Sequence, residues 1–160
     1  MKTLLLLILL FFSMTCFSQL RNDTSHVVKL QLVNQEKLEK WKVITLYSVS
    51  IILNGIGDGL NDSNQKTVGH LFTIASVGTL LLSPALFNYQ RKYWIWYILS
   101  YVCLRAGLFD ITYNLTRKLP FNYTGSTSIT DKVYNYQLVS PIYSRSIFFV
   151  VGFAIPLIKL

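Results

Sequence analysis

Acidic side chains are scarce in this chain: 7 of its 160 residues are Asp or Glu, and all charged residues together make up 14%. Globular domains ordinarily contain roughly 25% charged residues, so the composition argues against a soluble protein. Cysteine is limited to Cys16 and Cys103, and no His-Glu-x-x-His sequence occurs, so the common zinc-binding patterns are missing. The glycine-rich stretch 55–59 lacks the Gly-Lys-Ser/Thr ending of a phosphate-binding loop.

What the chain has instead is apolar sequence in long blocks. Apolar residues make up 52% of it, and four blocks approach the roughly 20 residues that a helix needs to cross a bilayer: 43–60, 68–87, 93–109 and 140–158. We therefore predict an all-α integral membrane protein, with a four-transmembrane-helix bundle at 43–160. The net charge of +8 is carried beside these spans, so the expected partner is the lipid bilayer with its anionic headgroups, and not nucleic acid.

Residues 1–18 have the pattern of a signal peptide, with Lys2 before an apolar run and Cys16 and Ser18 ahead of a cleavage site. A retained membrane helix and a lipoprotein signal that uses Cys16 are the alternatives. Cleavage would leave Cys103 as the only thiol, without an internal disulfide. Residues 19–42 form a polar connector, in which 33–41 is either an amphipathic helix on the membrane surface or a solvated segment.

Alternation of the four spans would bring the end of the first, the start of the second, the end of the third and the start of the fourth to one membrane surface, here called the polar face. A long polar loop is predicted at 110–138, on the same side. This face collects most of the unusual polar residues: Asp58, Asn61, Asp62, Lys66, His70, Arg105, Asp110, Tyr113, Asn114, Arg117, Asp131 and Arg145.

Asp58 is the most informative of these residues, because an ionised carboxylate beside hydrocarbon costs several kcal/mol unless it is paired or hydrated. Asn54, Asp58 and Asp62 are four residues apart and share one face of a helix. The glycines between them either permit close helix approach or unwind the segment. We expect close approach, with unwinding near Gly59.

Arg105 lies more than a turn inside the third apolar block and should not face lipid. Asp110 follows it by five residues, about 140° around a helix, so a partner across the bundle is expected, and we predict Asp58. A purely structural ion pair is the alternative to a functional role for Arg105. If the helix continues, Asp110, Tyr113 and Asn114 share a face.

His70 could ligate a metal or act as a general base, or it could be a polar residue at a helix start. The candidate catalytic residues are Asp58, His70, Arg105 and Asp110, and the candidate metal ligands are Asp58, Asp62 and His70. No cofactor is indicated by the sequence. Phosphate contact is an ordinary role for basic residues near a membrane, and it is considered for Arg117, Lys118, Lys132 and Arg145. The candidate ligand-binding residues are Asn61, Asp62, Tyr113, Asn114, Arg117 and Asp131.

Three stretches carry a resemblance. They are Gly-Asp-Gly-Leu-Asn-Asp at 57–62, followed by Lys66 and His70; Arg-Ala-Gly-Leu-Phe-Asp-Ile-Thr-Tyr-Asn at 105–114; and Asn-Tyr-Thr-Gly-Ser-Thr-Ser at 122–128 with Asp131. Over residues 43–135 the chain resembles small uncharacterised membrane proteins of Bacteroidetes-type bacteria and their phages, which implies a bacterial inner-membrane location and no particular activity. A weaker similarity is to VanZ-like proteins, whose Asp-Lys-x-x-His pattern is not matched here, so no role is transferred.

Two functions fit this pattern. The polar residues form either a structural or ligand-binding site in a non-enzymatic membrane protein, which we favour, or the active site of a metal-dependent hydrolase or transferase acting on a lipid or lipid-linked substrate. A transporter would need an oligomer to enclose a path. A cleaved signal peptide would place the polar face on the cytoplasmic side, although the basic connector then opposes the positive-inside tendency.

Overall fold

The computed structural model describes residues 27–125 and 140–159, and over these residues it contains helices and no strand. The helices are α1 (Val27–Asp62), α2 (Lys66–Leu86), α3 (Trp94–Thr116) and α4 (Pro141–Lys159), with a 3-10 turn at Arg91–Tyr93. Each contains a segment long and apolar enough to cross a membrane, which confirms the predicted all-α bundle of four spans. The predicted signal peptide and Asp131 lie outside the described residues.

Contacts along the helices confirm that the four spans alternate in direction. Gly57 of α1 approaches Gly69 near the start of α2, whereas Glu39, far back on α1, accepts a hydrogen bond from the backbone of Asn88, beyond the end of α2. Helices α3 and α4 are antiparallel in the same way, since Asp110 meets Arg145 at one end and Ser100 donates to the carbonyl of Gly152 further along. The end of α1 and the start of α2 lie together, as do the end of α3 and the start of α4, and the bond between Tyr113 and Asp62 joins the ends of α1 and α3.

Helices α1 and α3 both end in the Schellman arrangement, with a left-handed residue just past the helix. Asn64 has a φ of 64°, and the amide of the following Gln65 donates to the carbonyl of Leu60. Lys118 has a φ of 57°, and the amide of Leu119 donates to the carbonyl of Asn114. Asn tolerates this conformation because its short side chain bonds locally, whereas Lys adopts it at a steric cost.

Small residues allow α1 to approach its neighbours closely, as predicted. A Cβ on Gly55 would overlap the hydroxyl of Thr112 on α3, and a Cβ on Gly57 would lie 2.9 Å from the carbonyl of Gly69 on α2. Further along, Ser50 and Ser76 each donate a hydrogen bond to the other's backbone carbonyl, at 3.0 and 2.8 Å. The unwinding predicted near Gly59 does not occur, because α1 remains helical to Asp62.

Helix α1 is the most enclosed span and α2 the least: 50% of the apolar window of α1 is buried inside the protein, against 17% for α2. The outward side chains of α2, such as Leu81 at 74% exposure, present hydrocarbon to the surroundings, as the lipid-facing side of a membrane helix does. Burial is concentrated where α1 meets α3 and the end of α2, around Val43, Ile51 and Leu104.

Two helices extend beyond the predicted boundaries of the spans. Helix α3 continues past residue 109 to Thr116, so the first part of the predicted loop 110–138 is helical. The polar side chains of this last section bond to α1 and α4, which removes their need for water. Similarly, the part of the connector that follows residue 26 is helical and continuous with the first span, which begins at Leu38 and not at residue 43.

Candidate functional site

Asn54 and Asp58 lie on the side of α1 between its contacts with α2 and with α3. Gly57 faces α2 and Gly59 faces α3, and successive helical residues are rotated by about 100°, so Asp58 points between these two neighbours. Asn54, one turn earlier, shares this direction. The predicted common face of these polar residues is thus present, because the helix persists through its glycines.

Arg105 reaches into the same space from α3. Its Nη1 donates a hydrogen bond of 2.7 Å to Oδ1 of Asn54, and its guanidinium lies 4.4 Å from the ring centroid of Phe109, one turn nearer the polar face. The side chain therefore extends along α3 toward that face, as a charged group within a membrane span is expected to do. The predicted ion pair with Asp58 is wrong, since no carboxylate among the described residues lies within 4.0 Å of this guanidinium.

Asp58 is half-buried and stands near Arg105 without bonding to it. Within 27–125 and 140–159, its carboxylate accepts no hydrogen bond and forms no ion pair. The positive charge of Arg105 still acts on it through space, and so does the negative charge of Asp62. Asp58 is therefore a half-buried carboxyl group without a bonding partner among the described residues.

The space that contains these groups lies on one side of α1, between its contacts with α2 and with α3. At the membrane face opposite the polar face, an aromatic cluster joins α3 to the residue after α2: Phe87 lies 5.3 Å from Tyr97, and Tyr47 contacts both Phe87 and Tyr101. We call this space the polar groove: α1 is its floor, α2 and α3 are its walls, and Asn54, Asp58, Arg105 and Phe109 are its polar and aromatic lining.

The polar groove borders the lipid-facing side of α3. Ile98 and Val102 precede Arg105 by seven and three residues, so they lie on the same side of the helix, and they are 51% and 54% exposed. Arg105 itself is half-buried. A molecule within the bilayer can therefore approach the guanidinium from the side, without passing through the core of the bundle.

At the polar face, Asp62, Tyr113 and Arg117 link the ends of α1 and α3. The hydroxyl of Tyr113 donates to Asp62 Oδ2 at 2.5 Å, and Nη1 of Arg117 donates to the oxygen of Tyr113 at 2.7 Å, with 3.7 Å from Arg117 to Asp62. The hydrogen bond that Arg117 donates to the Tyr113 oxygen raises the pKa of Arg117 above its ordinary value, so Arg117 stays charged. These three predicted site residues are brought together, outside the polar groove.

Asp110 and Asn114 belong to a different, buried arrangement around Arg145. The guanidinium of Arg145 is completely buried and donates to Asp110 at 3.0 Å, to the carbonyl of Phe121 at 2.5 Å and to that of Tyr123 at 2.8 Å. Asn114 donates to the same Tyr123 carbonyl at 3.0 Å. Arg145, considered above for phosphate contact, is instead a buried structural group that holds residues 121–123 against α3 and α4.

The expected shared face of Asp110, Tyr113 and Asn114 is therefore only partly present. Asp110 and Asn114 point toward α4 and the segment after α3, whereas Tyr113 points toward α1. The four candidate catalytic residues form no hydrogen bond to one another in the described part of the chain: Arg105 binds Asn54, Asp110 binds Arg145, and His70 is exposed on α2.

Among residues 27–125 and 140–159, no group of three or more His, Cys, Asp or Glu side chains is placed to hold a metal ion. Metal binding by Asp58, Asp62 and His70 remains a prediction that this part of the chain does not support. Asn61 has a structural position, since its Oδ1 is buried against Gly69 and has no hydrogen-bond partner in the described residues.

Sequence reasoning missed two partners. Asn54 was recognised as part of a polar helix face but not as the group that binds Arg105. Arg145 was grouped with basic residues near the membrane surface, although the alternation of spans already places the start of α4 beside Asp110. Both contacts join residues that lie at the same depth in neighbouring helices, and this depth follows from the position of each residue along its span.

Comparison with protein-family models, with curated proteins and with solved structures finds no match for the chain.

Proposed function

We propose that this integral membrane protein is a non-enzymatic binding protein whose polar groove holds the phosphate-bearing headgroup of a lipid or lipid-linked molecule. The observation that carries the proposal is the state of Arg105. A guanidinium has five N–H donors, and the described residues offer this one the neutral amide oxygen of Asn54 and the face of Phe109. Its charge is therefore not neutralised by a direct ion pair in this region, although it lies within a membrane span.

A phosphate is the anion best matched to this arrangement. The planar guanidinium binds phosphate oxygens through two parallel hydrogen bonds, and in a low-dielectric groove such charge-assisted bonds are stronger than in water. Asn54 holds one edge of the Arg105 guanidinium and Phe109 supports its face, so its orientation is set before a ligand arrives. The apolar walls beside Arg105 suit the acyl or prenyl chain that would accompany the headgroup.

The depth of Arg105 is compatible with such a ligand. The span that contains α3 has 26 residues, about 39 Å at 1.5 Å per residue, whereas the hydrocarbon core is about 30 Å thick. The guanidinium lies level with Phe109, seven residues or about 10 Å before the end of α3. If both ends of the helix extend equally beyond the hydrocarbon, a headgroup needs to descend by roughly 6 Å.

The enzyme alternative gains no specific support from the described residues, because its four candidate groups are not assembled around one position. The structural alternative is more serious, since Arg105 also joins α3 to α1 through Asn54. The two roles make different demands on the same residue. If Arg105 is structural, its loss should lower the stability of the ligand-free protein. If Arg105 binds the ligand, its loss should lower the affinity for a phosphate.

The test is a binding measurement on the full-length protein, purified in an uncharged, phosphate-free detergent and titrated with a short-chain phosphatidylglycerol. We expect Arg105→Gln to weaken binding about tenfold or more, because a hydrogen bond to a charged group contributes about 1.5–3 kcal/mol. Arg91→Gln is the matched control, since it removes the same charge from an exposed position at the opposite face. Its affinity should equal that of the unchanged protein.

Thermal unfolding of the same variants without lipid separates the two roles. A well-folded Arg105→Gln variant that has lost affinity supports the binding site. The proposal is overturned if Arg105→Gln binds phosphatidylglycerol as tightly as the unchanged protein or with the same affinity as Arg91→Gln. Arg105 would then have a structural role alone.

A further inference from the structure

Asp58 differs from the other carboxylates whose side chains are described in the bundle. Glu39 accepts hydrogen bonds from Lys42 and from the backbone of Asn88, and Asp62 is held by Tyr113 and Arg117. Asp110 is paired with Arg145. Asp58 alone among these four accepts no bond from the described residues, although it is half-buried in a membrane span. A carboxylate in such a place needs a cationic or hydrogen-bonding partner.

Asp58 favours a ligand that carries a positive charge beside its phosphate over a ligand that carries negative charge alone. A phosphate bound to Arg105 would lie close to the Asp58 carboxylate, and two negative charges at short range repel each other strongly where water is limited. The groove therefore contains one guanidinium and one carboxyl group, and neither forms a direct ion pair with a described residue. A ligand with both charges would satisfy both residues, whereas a ligand with a single negative charge would satisfy one at the expense of the other.

We propose, on the basis of the proposed function, that the headgroup bound in the polar groove is zwitterionic, with its phosphate on Arg105 and a primary ammonium group on Asp58. Asp58 follows Asn54, which holds the Arg105 guanidinium, by four residues, so the two recognition points are separated by one helical turn or about 6 Å along α1. In an extended two-carbon link the ammonium nitrogen lies about 3.8 Å from the ester oxygen and about 5 Å from the phosphorus, from ordinary single-bond lengths of about 1.5 Å and tetrahedral angles.

The direction of the arrangement also fits. Asp58 lies on the polar-face side of Asn54. The ammonium group of such a headgroup can therefore point toward the polar face and reach the carboxyl group of Asp58, while the phosphate stays deeper in the groove on Arg105. A primary ammonium has three N–H donors and approaches a carboxylate closely, whereas a trimethylammonium group has none. The site should therefore prefer an unmethylated amine.

The closing experiment compares phosphatidylethanolamine, phosphatidylglycerol and phosphatidylcholine of identical short chains, each titrated into the full-length protein in uncharged detergent. We expect phosphatidylethanolamine to bind roughly tenfold more tightly than either of the others. Asp58→Asn should remove this preference, chiefly by weakening phosphatidylethanolamine. Asp62→Asn is the matched control, because it deletes the same charge one turn away, where Tyr113 and Arg117 already hold the carboxylate, and it should preserve the preference.

The outcomes distinguish this inference from the proposed function. Binding of all three lipids that depends on Arg105 but shows no preference for phosphatidylethanolamine would overturn the zwitterionic headgroup and leave the phosphate site intact. Lipid binding that does not depend on Arg105 would overturn both. The lipid comparison on the unchanged protein requires no variant to fold, so it decides the matter even if Asp58→Asn is unstable.

Soluble phosphoethanolamine, which has the same two charges without acyl chains, serves as a competitor. Displacement of the lipid at similar concentrations would support recognition of the charge pair and indicate a water-soluble ligand. Displacement only at concentrations a hundredfold higher or more would support the same recognition with a membrane-anchored ligand. Failure of the soluble compound to displace the lipid at any concentration would contradict recognition of the headgroup.

Discussion

Arg145 is expected to be the most costly polar residue of the bundle to remove. Its side chain is completely buried, and Arg145→Ala deletes the hydrogen bonds to Asp110 and to the carbonyls of Phe121 and Tyr123. Breaking one partner of a buried ion pair costs about 3–5 kcal/mol, because the other charge stays buried without compensation. For a chain of this size, about 2–4 °C per kcal/mol gives a decrease in melting temperature of roughly 10 °C.

The assay is thermal unfolding in detergent, followed by tryptophan fluorescence. Arg117→Gln is the control: its ion pair with Asp62 is long and exposed, so its loss should change the melting temperature little. A second arm replaces both buried partners, as Asp110→Leu with Arg145→Met, and should be less destabilised than Arg145→Ala, since no isolated charge remains. If Arg145→Ala melts within a degree or two of Arg117→Gln, the reasoning about burial is refuted.

Two further substitutions test the helix contacts and the helix ends by the same unfolding assay. Gly55→Ala should destabilise the protein by about 1–3 kcal/mol, because the added methyl group overlaps Thr112. The control Gly78→Ala adds a methyl group in open space and should be neutral or slightly stabilising. Equal effects of the two substitutions would contradict the close approach of α1 to α3. Lys118→Gly should stabilise by about 0.5–1 kcal/mol, since glycine adopts the positive φ of this position without strain, and a lower melting temperature would contradict that account.

The bundle could be predicted from the sequence because a membrane span needs a long apolar block, and polar turns separate each apolar block from the next. The end of α3 could not be predicted in the same way. After Phe109 the sequence becomes polar, as a loop would be, but Asp110 and Tyr113 bond to α4 and α1. From the amino-acid sequence alone, a helix whose polar side chains bond to other helices cannot be distinguished from a polar loop that follows a span.

The partner of Arg105 was missed for a related reason. The four-residue spacing of Asn54 and Asp58 places both on one face of α1, and composition favours the carboxylate as the partner of a guanidinium. The choice between them depends on the relative level of α1 and α3, which is set by the contact of Gly55 with Thr112. That contact places the guanidinium beside Asn54. The periodicity of side chains within one helix does not reveal how far that helix is shifted relative to its neighbour.

The close contact between α1 and α3 also has a consequence for biogenesis. These two helices run in the same direction, so they cannot pair within one hairpin, and the hairpin formed by α1 and α2 contains only one side of the contact. Arg105 arrives with α3, when Asn54 is already in place to receive its charge. Asp110 arrives on the same helix before Arg145, which enters with α4. The carboxylate of Asp110 therefore gains its partner only when α4 packs against α3.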